Sequence, residues 1–175
     1  MNMNESPALN QKEEPQATRE MVGAKATDFV LGDNEGNRVQ LFEVLENSPV
    51  LLAFYPWDFS MVCTKQLCNY RDNFQSFADL GIQLYGVSGN SAVKHQEFSQ
   101  KYEFPFRLLA DPDNKVAKAY GCRSLFMLGK VSRAVIIINR QRIVLYRYVE
   151  PTVLTRRSAE ELVGILKDLR QHSLL

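Results

Sequence analysis

Two thiols five residues apart, Cys63 and Cys68, stand in the segment Tyr55-Pro56-Trp57-Asp58-Phe59-Ser60-Met61-Val62-Cys63-Thr64-Lys65-Gln66-Leu67-Cys68. Cys63 falls where an apolar run, Val50–Tyr55, closes at Pro56 and hands over through a loop to a helix. The first N–H groups of a helix lack intrahelical partners and carry partial positive charge. A thiol placed there is biased toward thiolate, the form that attacks electrophiles. A buried core cysteine is the alternative use of the same position.

Cys68 adds a second possibility. Five residues along a helix turn ~500° and set the two Cα atoms about 8.7 Å apart. A disulfide needs roughly 4.4–6.8 Å. A bond between Cys63 and Cys68 would therefore require the first turn of the helix to unwind, which would make the pair a redox switch. The alternative is that Cys68 packs inward and never meets Cys63.

Rival chemistries find less support. There is no Cys-x-x-Cys, and the two histidines, His95 and His172, are far in sequence from any cysteine, so a zinc site is not expected. Both histidines read as surface residues, one mid-helix and one at the C-terminus. No Gly-rich turn opens a helix after a strand, which argues against a phosphate loop. Arg156-Arg157 reads as a solvated basic pair.

The elements that must hold these residues follow from periodicity. Val50–Tyr55 is a short apolar run, as expected of a strand buried on both faces. Leu67, Tyr70, Phe74 and Phe77 recur at helical spacing, and Gly81 supplies a stop. Ile82–Val87 predicts a second buried strand, followed by a helix from Ser91 to Tyr102 capped by Asn90 or Ser91. Asp111-Pro112-Asp113 opens a short helix through Tyr120, ended by Gly121. Ala134–Ile138 is β-branched almost throughout, and Asn139–Arg142 turns it into an antiparallel partner, Ile143–Val149. A capping box, Ser158-Ala159-Glu160-Glu161, starts a last helix with the stripe Leu162, Val163, Leu166 and Leu169. Turn formers at Asp33–Asn37 join Phe29–Leu31 to Val39–Leu41 as a hairpin. The order predicts an α/β class, a mixed central β-sheet with helices on both faces.

Composition bounds the function. The 175 residues carry 21 Lys and Arg against 20 Asp and Glu, a net charge of +1, which gives no general attraction for nucleic acid or an anionic membrane. Three cysteines are too few for a disulfide scaffold. Residues 1–20 are polar and are expected to form a flexible extension, with one domain over 21–175. With no secretory signal pattern and no run near the ~18 apolar residues that span a bilayer, a soluble cytoplasmic protein is expected.

The motif Pro56-x-x-x-Ser60-x-x-Cys63 resembles the Pro-x-x-x-Thr/Ser-x-x-Cys signature of the peroxiredoxins. Cys63-x-x-x-x-Cys68 followed by Tyr70-Arg71-Asp72 is similar to the bacterioferritin-comigratory-protein (PrxQ) branch. The likeness continues through Gly23–Phe29, Leu84–Ser88, Asp111-Pro112-Asp113 and Arg133–Asn139, covering about Val22 to Leu169. It implies a thioredoxin-like fold and reduction of hydrogen peroxide and organic hydroperoxides. Carried over by position, Cys63 is the peroxidatic cysteine, which forms a sulfenic acid. Cys68 resolves it as an intramolecular disulfide, and thioredoxin or a glutaredoxin-like dithiol recycles that bond. Ser60 and Arg133 would hold charge at the reacting atoms, while Pro56 covers the thiolate. No metal, haem or flavin is implied, and the branch includes monomers and homodimers.

Departures from the pattern are visible. Ser60 replaces the commoner threonine, Gln66 a usual glutamate, Met61-Val62 a Pro-Gly, and Thr27 a frequent proline. Cys122 maps to no family role; an ordinary packed cysteine stands against a second resolving thiol. Trp57, Phe59 and Phe126 are candidates for shaping peroxide preference. A non-catalytic redox sensor and a thiol–disulfide exchange protein on the same fold are the competing functions.

Overall fold

In the computed structural model, residues 21–122, 131–152 and 154–175 are described. The expected extension 1–20 and Phe126 lie outside them. Among the described residues, the first strands are β1 (Val30–Asp33) and β2 (Arg38–Gln40), which form a hairpin. The Asp33 carboxylate makes the turn by accepting the amides of Glu35 and Asn37, each at 2.8 Å. A short helix, α1 (Leu41–Leu45), leads to strand β3 (Val50–Phe54), and helices α2 (Met61–Asp72) and α3 (Phe74–Asp79) follow. Strand β4 (Gln83–Ser88), helix α4 (Ala92–Tyr102), strand β5 (Arg107–Ala110) and helix α5 (Lys115–Ala119) come next. Strands β6 (Ala134–Ile138) and β7 (Val144–Val149) and helix α6 (Ala159–Gln171) complete the order.

Among the described residues, seven strands form one mixed sheet in the order β2-β1-β5-β4-β3-β6-β7. β3 lies in the interior, parallel to β4 and antiparallel to β6. Alternation along β3 divides the core. Val50, Leu52 and Phe54 face one cluster, with Leu41 and Leu45 of α1 and Val116 and Ala117 of α5. Leu51, Ala53 and Tyr55 face the other, with Cys63 and Leu67 of α2, Phe77 of α3, Phe98 of α4 and Leu162 of α6. Strand and helix apolar faces thus cover both sides of the sheet, as the sequence predicts. Each fully buried Leu or Phe contributes roughly 1.5–3 kcal/mol relative to exposure.

The differences from expectation have local causes. The run from Leu67 to Phe77 is two helices, because Asn73 leaves helical geometry (φ −110, ψ 14) and its side-chain amide donates to the Asn69 carbonyl at 2.9 Å. The helix after Asp111 begins only at Lys115. Asn114 is left-handed (φ 52), and the Asp111 carboxylate instead accepts the Ala117 amide at 2.9 Å. β5 and α1, four and five residues long, have no counterpart in the periodicity reading. The α6 capping box forms as predicted, Ser158 and Glu161 each satisfying the other's backbone N–H. Among the described residues, no helix is long and apolar enough to cross a membrane.

Candidate active site

The loop after β3 and the residue before β6 meet because the two strands are antiparallel, with Phe54 opposite Ala134. Tyr55 and Pro56 therefore leave the sheet beside Arg133. Pro56 is buried where the loop begins. Ser60, in extended geometry, is the N-cap of α2, and its hydroxyl accepts the Cys63 amide at 3.4 Å. Helix geometry leaves the N–H groups of Met61 and Val62 without intrahelical acceptors. Cys63 thus sits in the first turn of a 12-residue helix, where partial positive charge gathers.

Arg133 completes this environment. Its Nη1 donates to the Cys63 Sγ at 3.3 Å and to Gln66 Oε1 at 2.7 Å. Both Cys63 and Arg133 are buried, at 0% and 3% exposure, so the cation faces sulfur with little water between them. Gln66 stands where a glutamate was expected, and its neutral carboxamide orients the guanidinium without cancelling its charge. Gln66 Nε2 also meets the Tyr70 hydroxyl at 3.0 Å, and that hydroxyl donates to the Arg157 carbonyl at 3.0 Å. Burial pushes the Tyr70 phenol well above its usual range, with the Gln66 bond opposing, so it stays a neutral donor.

Of the five residues read from sequence, Ser60, Cys63 and Arg133 are brought together by bonds. Pro56 stands at the mouth of the same loop. Cys68 lies on the same unbroken helix as Cys63, half-buried, and all three thiols are free. Partial burial raises the Cys68 thiol above its ordinary value, with Arg71 pulling the other way. Cys122 belongs to the core cluster on the opposite face of the sheet from Cys63. Its Sγ donates to the Tyr120 carbonyl at 3.4 Å, and burial pushes its pKa up to about 12. It is a packed cysteine.

Two sequence readings are corrected. His95 is not a surface residue. It is fully buried, with Nδ1 2.7 Å from Asp58 Oδ2, because the face carrying His95, Phe98 and Tyr102 is the one α4 turns inward. The spacing of His95 to Phe98 and Tyr102, three and seven residues, was the available signal. Arg157 is likewise not simply solvated. Its guanidinium lies 3.7 Å from the Tyr148 ring centroid and bonds Glu161 at 3.0 Å. The Arg157-x-x-x-Glu161 spacing signals that pair. His172 is exposed, as expected.

The loop between Pro56 and Ser60 carries strain. Phe59 has φ 62, a left-handed conformation that costs a bulky residue on the order of 1–3 kcal/mol. Its ring packs 4.8 Å from Phe98 and 6.4 Å from Tyr102, with the Lys101 ammonium 5.6 Å from its centroid. Among the described residues, no group of three or more His, Cys, Asp or Glu is placed to hold a metal.

Comparison with known proteins bears on the family and the fold. The profile of the AhpC/TSA family matches residues 22–147. Peroxiredoxin Q, chloroplastic, of Oryza sativa subsp. japonica is 36% identical over 126 residues, 72% of this chain and 58% of that protein. The putative peroxiredoxin bcp of Coxiella burnetii is 42% identical over 100 residues, 57% of this chain and 66% of its own length. The crystal structure of peroxidoxin BcpB from Mycobacterium tuberculosis matches with a TM-score of 0.77 at 29% identity, over 86% of this chain and 98% of that one. The chain thus spans 58% of the length of the rice relative it matches, and the thioredoxin-like fold is shared with the solved structures.

Proposed function

The chain belongs to the AhpC/TSA family, among the peroxiredoxins of the Q and Bcp type, and on that premise we propose that it is a thiol peroxidase acting through Cys63. The observation that carries the proposal is the 3.3 Å bond from the buried Arg133 guanidinium to a sulfur in the first turn of a helix. The Cys63 thiolate attacks one oxygen of a hydroperoxide. The sulfur–oxygen bond forms as the O–O bond breaks, and the departing oxygen leaves as alcohol or water with the peroxide's proton. The sulfenate left on Cys63 takes a proton from solvent to become the sulfenic acid. Charge on that oxygen is met by the guanidinium and the open amides of the α2 N-terminus. Pro56 limits water at the sulfur, and the Ser60 cap holds the turn in place.

The sulfenic acid on Cys63 then condenses with the Cys68 thiol, releasing water and forming a disulfide. Because both residues lie on α2, the first turn must unwind to bring them within bonding distance. Unwinding also exposes Cys68, relieving the burial that holds its thiol protonated. A dithiol reductant of the thioredoxin or glutaredoxin type restores both thiols and is itself oxidised to a disulfide. The cycle needs no metal or organic cofactor, and we place it in the cytoplasm, in a monomer or homodimer whose folded unit is residues 21–175.

The test treats the fully reduced protein with one equivalent of hydrogen peroxide, counts thiols and maps disulfides by mass spectrometry. Loss of two thiols with a Cys63–Cys68 link is expected. A stable sulfenic acid on Cys63 alone would move resolution to an external thiol. Three unreacted thiols would overturn the peroxidase reading and leave a redox-inert relative.

A further inference from the structure

Two ionisable side chains beside the site, Asp58 and His95, are completely enclosed, and the chemistry above uses neither. His95 Nε2 lies 3.2 Å from the Leu109 carbonyl oxygen, which only accepts, so Nε2 carries a hydrogen. His95 Nδ1 lies 2.7 Å from Asp58 Oδ2. Two bare lone pairs would not sit that close without water, so a proton lies between them. The pair therefore keeps one shared proton. The other Asp58 oxygen accepts the Tyr55 hydroxyl at 2.7 Å, and the Asp58 amide donates to Asn90 Oδ1 at 2.9 Å. Tyr55 just after β3, His95 of α4 and Asn90 in the turn after β4 all converge on Asp58, and His95 in turn ties α4 to β5.

Asp58 is followed immediately by the left-handed Phe59, and Phe59 by the Ser60 cap on the Cys63 amide. The strained residue lies between an anchored carboxylate and the cap of the helix that must later unwind. We infer that His95 is a positioning residue for Cys63: acting through Asp58, it latches residues 56–60 so that Ser60 caps α2 and the first turn stays folded around the sulfur. The kinetic part of this inference rests on the peroxidase reading; the structural part does not. The latch aids the step that needs a folded turn, peroxide attack, and opposes the step that needs an unwound one, disulfide formation.

Two variants separate the latch from general packing. His95→Leu fills the space but removes the polar contacts of the ring with Asp58, Leu109 and the Tyr55 hydroxyl. Asp58→Asn offers a fixed N–H to a neutral His95 Nδ1 and keeps an oxygen for Tyr55, so it restores the latch without a shared proton. In the reduced protein, amide exchange of peptide 57–66 is expected to be about tenfold faster in His95→Leu, with the β3 peptide unchanged, and within about twofold of wild type in Asp58→Asn. In single turnover with hydrogen peroxide, His95→Leu is expected to slow attack about tenfold and to speed disulfide formation, and Asp58→Asn to recover most of both rates. Wild-type exchange at 57–66 in His95→Leu would overturn the latch. So would exchange raised equally in β3, or Asp58→Asn behaving like His95→Leu. A wild-type protein inert to peroxide would sink the peroxidase reading alone, and the exchange measurements would still decide the latch.

Discussion

Arg133 reaches Cys63 across 70 positions of chain, its Nη1 3.3 Å from the sulfur. The β3–β6 register sets that distance, since Phe54 pairs with Ala134 and the flanking residues of the two strands emerge side by side. The same nitrogen is fixed by Gln66 at 2.7 Å. A cation aimed by a neutral acceptor keeps its charge for whatever negative charge develops at the sulfur or on the departing oxygen.

Removing that cation should therefore act on the first chemical step. Arg133→Met is expected to lower the second-order rate of Cys63 with hydrogen peroxide about 100-fold or more. Arg133→Lys should recover only part of the loss, because a compact ammonium does not reproduce the planar geometry that serves both Cys63 and Gln66. Stopped-flow measurement of both variants checks this; an Arg133→Met rate within about threefold of wild type would refute it.

The two cysteines of α2 should separate by step. Cys63→Ser is expected to abolish peroxide consumption. Cys68→Ser should leave one round of reduction and stop recycling by thioredoxin. In the wild type, the disulfide step should accelerate as pH rises through the thiol range and above, because burial raises Cys68 and its thiolate is the attacking form. Multiple turnovers by Cys68→Ser with thioredoxin would eliminate it as the resolving thiol.

Much of this site is legible from local pattern. Ser60 three residues before Cys63 is a capping spacing, and the β-branched run Ala134–Ile138 places Arg133 at the edge of a buried strand. What is not legible depends on which helix face meets the sheet. His95 looks like any polar residue mid-helix until α4 is docked and its face with Phe98 is covered. β5 is equally hidden, because Arg107–Ala110 has no β-branched residue and is only four residues long. Its pairing with β1 and β4 forms it, a tertiary effect that overrides weak local preference.

Gln66 should tune the balance between a folded and an unwound turn. Gln66→Glu converts the bond to Arg133, already charge-assisted by the guanidinium, into an ion pair. The folded turn is then held more firmly, and disulfide formation is expected to slow by about 5–10-fold. Rapid-quench trapping of sulfenic acid and disulfide reads the step directly. A disulfide rate equal to or above wild type would show that Gln66 does not hold the turn.

Cys122 carries a stability signature with a defined sign. Burial raises its pKa from 9.0 to about 12, so folding favours the protonated thiol. That contribution is fully present below the ordinary thiol range and is lost as pH climbs toward the folded value, at about 1.4 kcal/mol per pH unit. Buried tyrosines such as Tyr120 shift in the same direction, so the difference between wild type and Cys122→Ala isolates the thiol. Cys122→Ala is expected to be less stable at pH 8, through the lost packing, and to lose stability less steeply between pH ~9 and ~11. Native-state alkylation should also leave Cys122 unlabelled at pH 8 and label it once the protein is unfolded in urea. Parallel urea curves for the two proteins across that pH range would mean that the buried thiol does not contribute this slope.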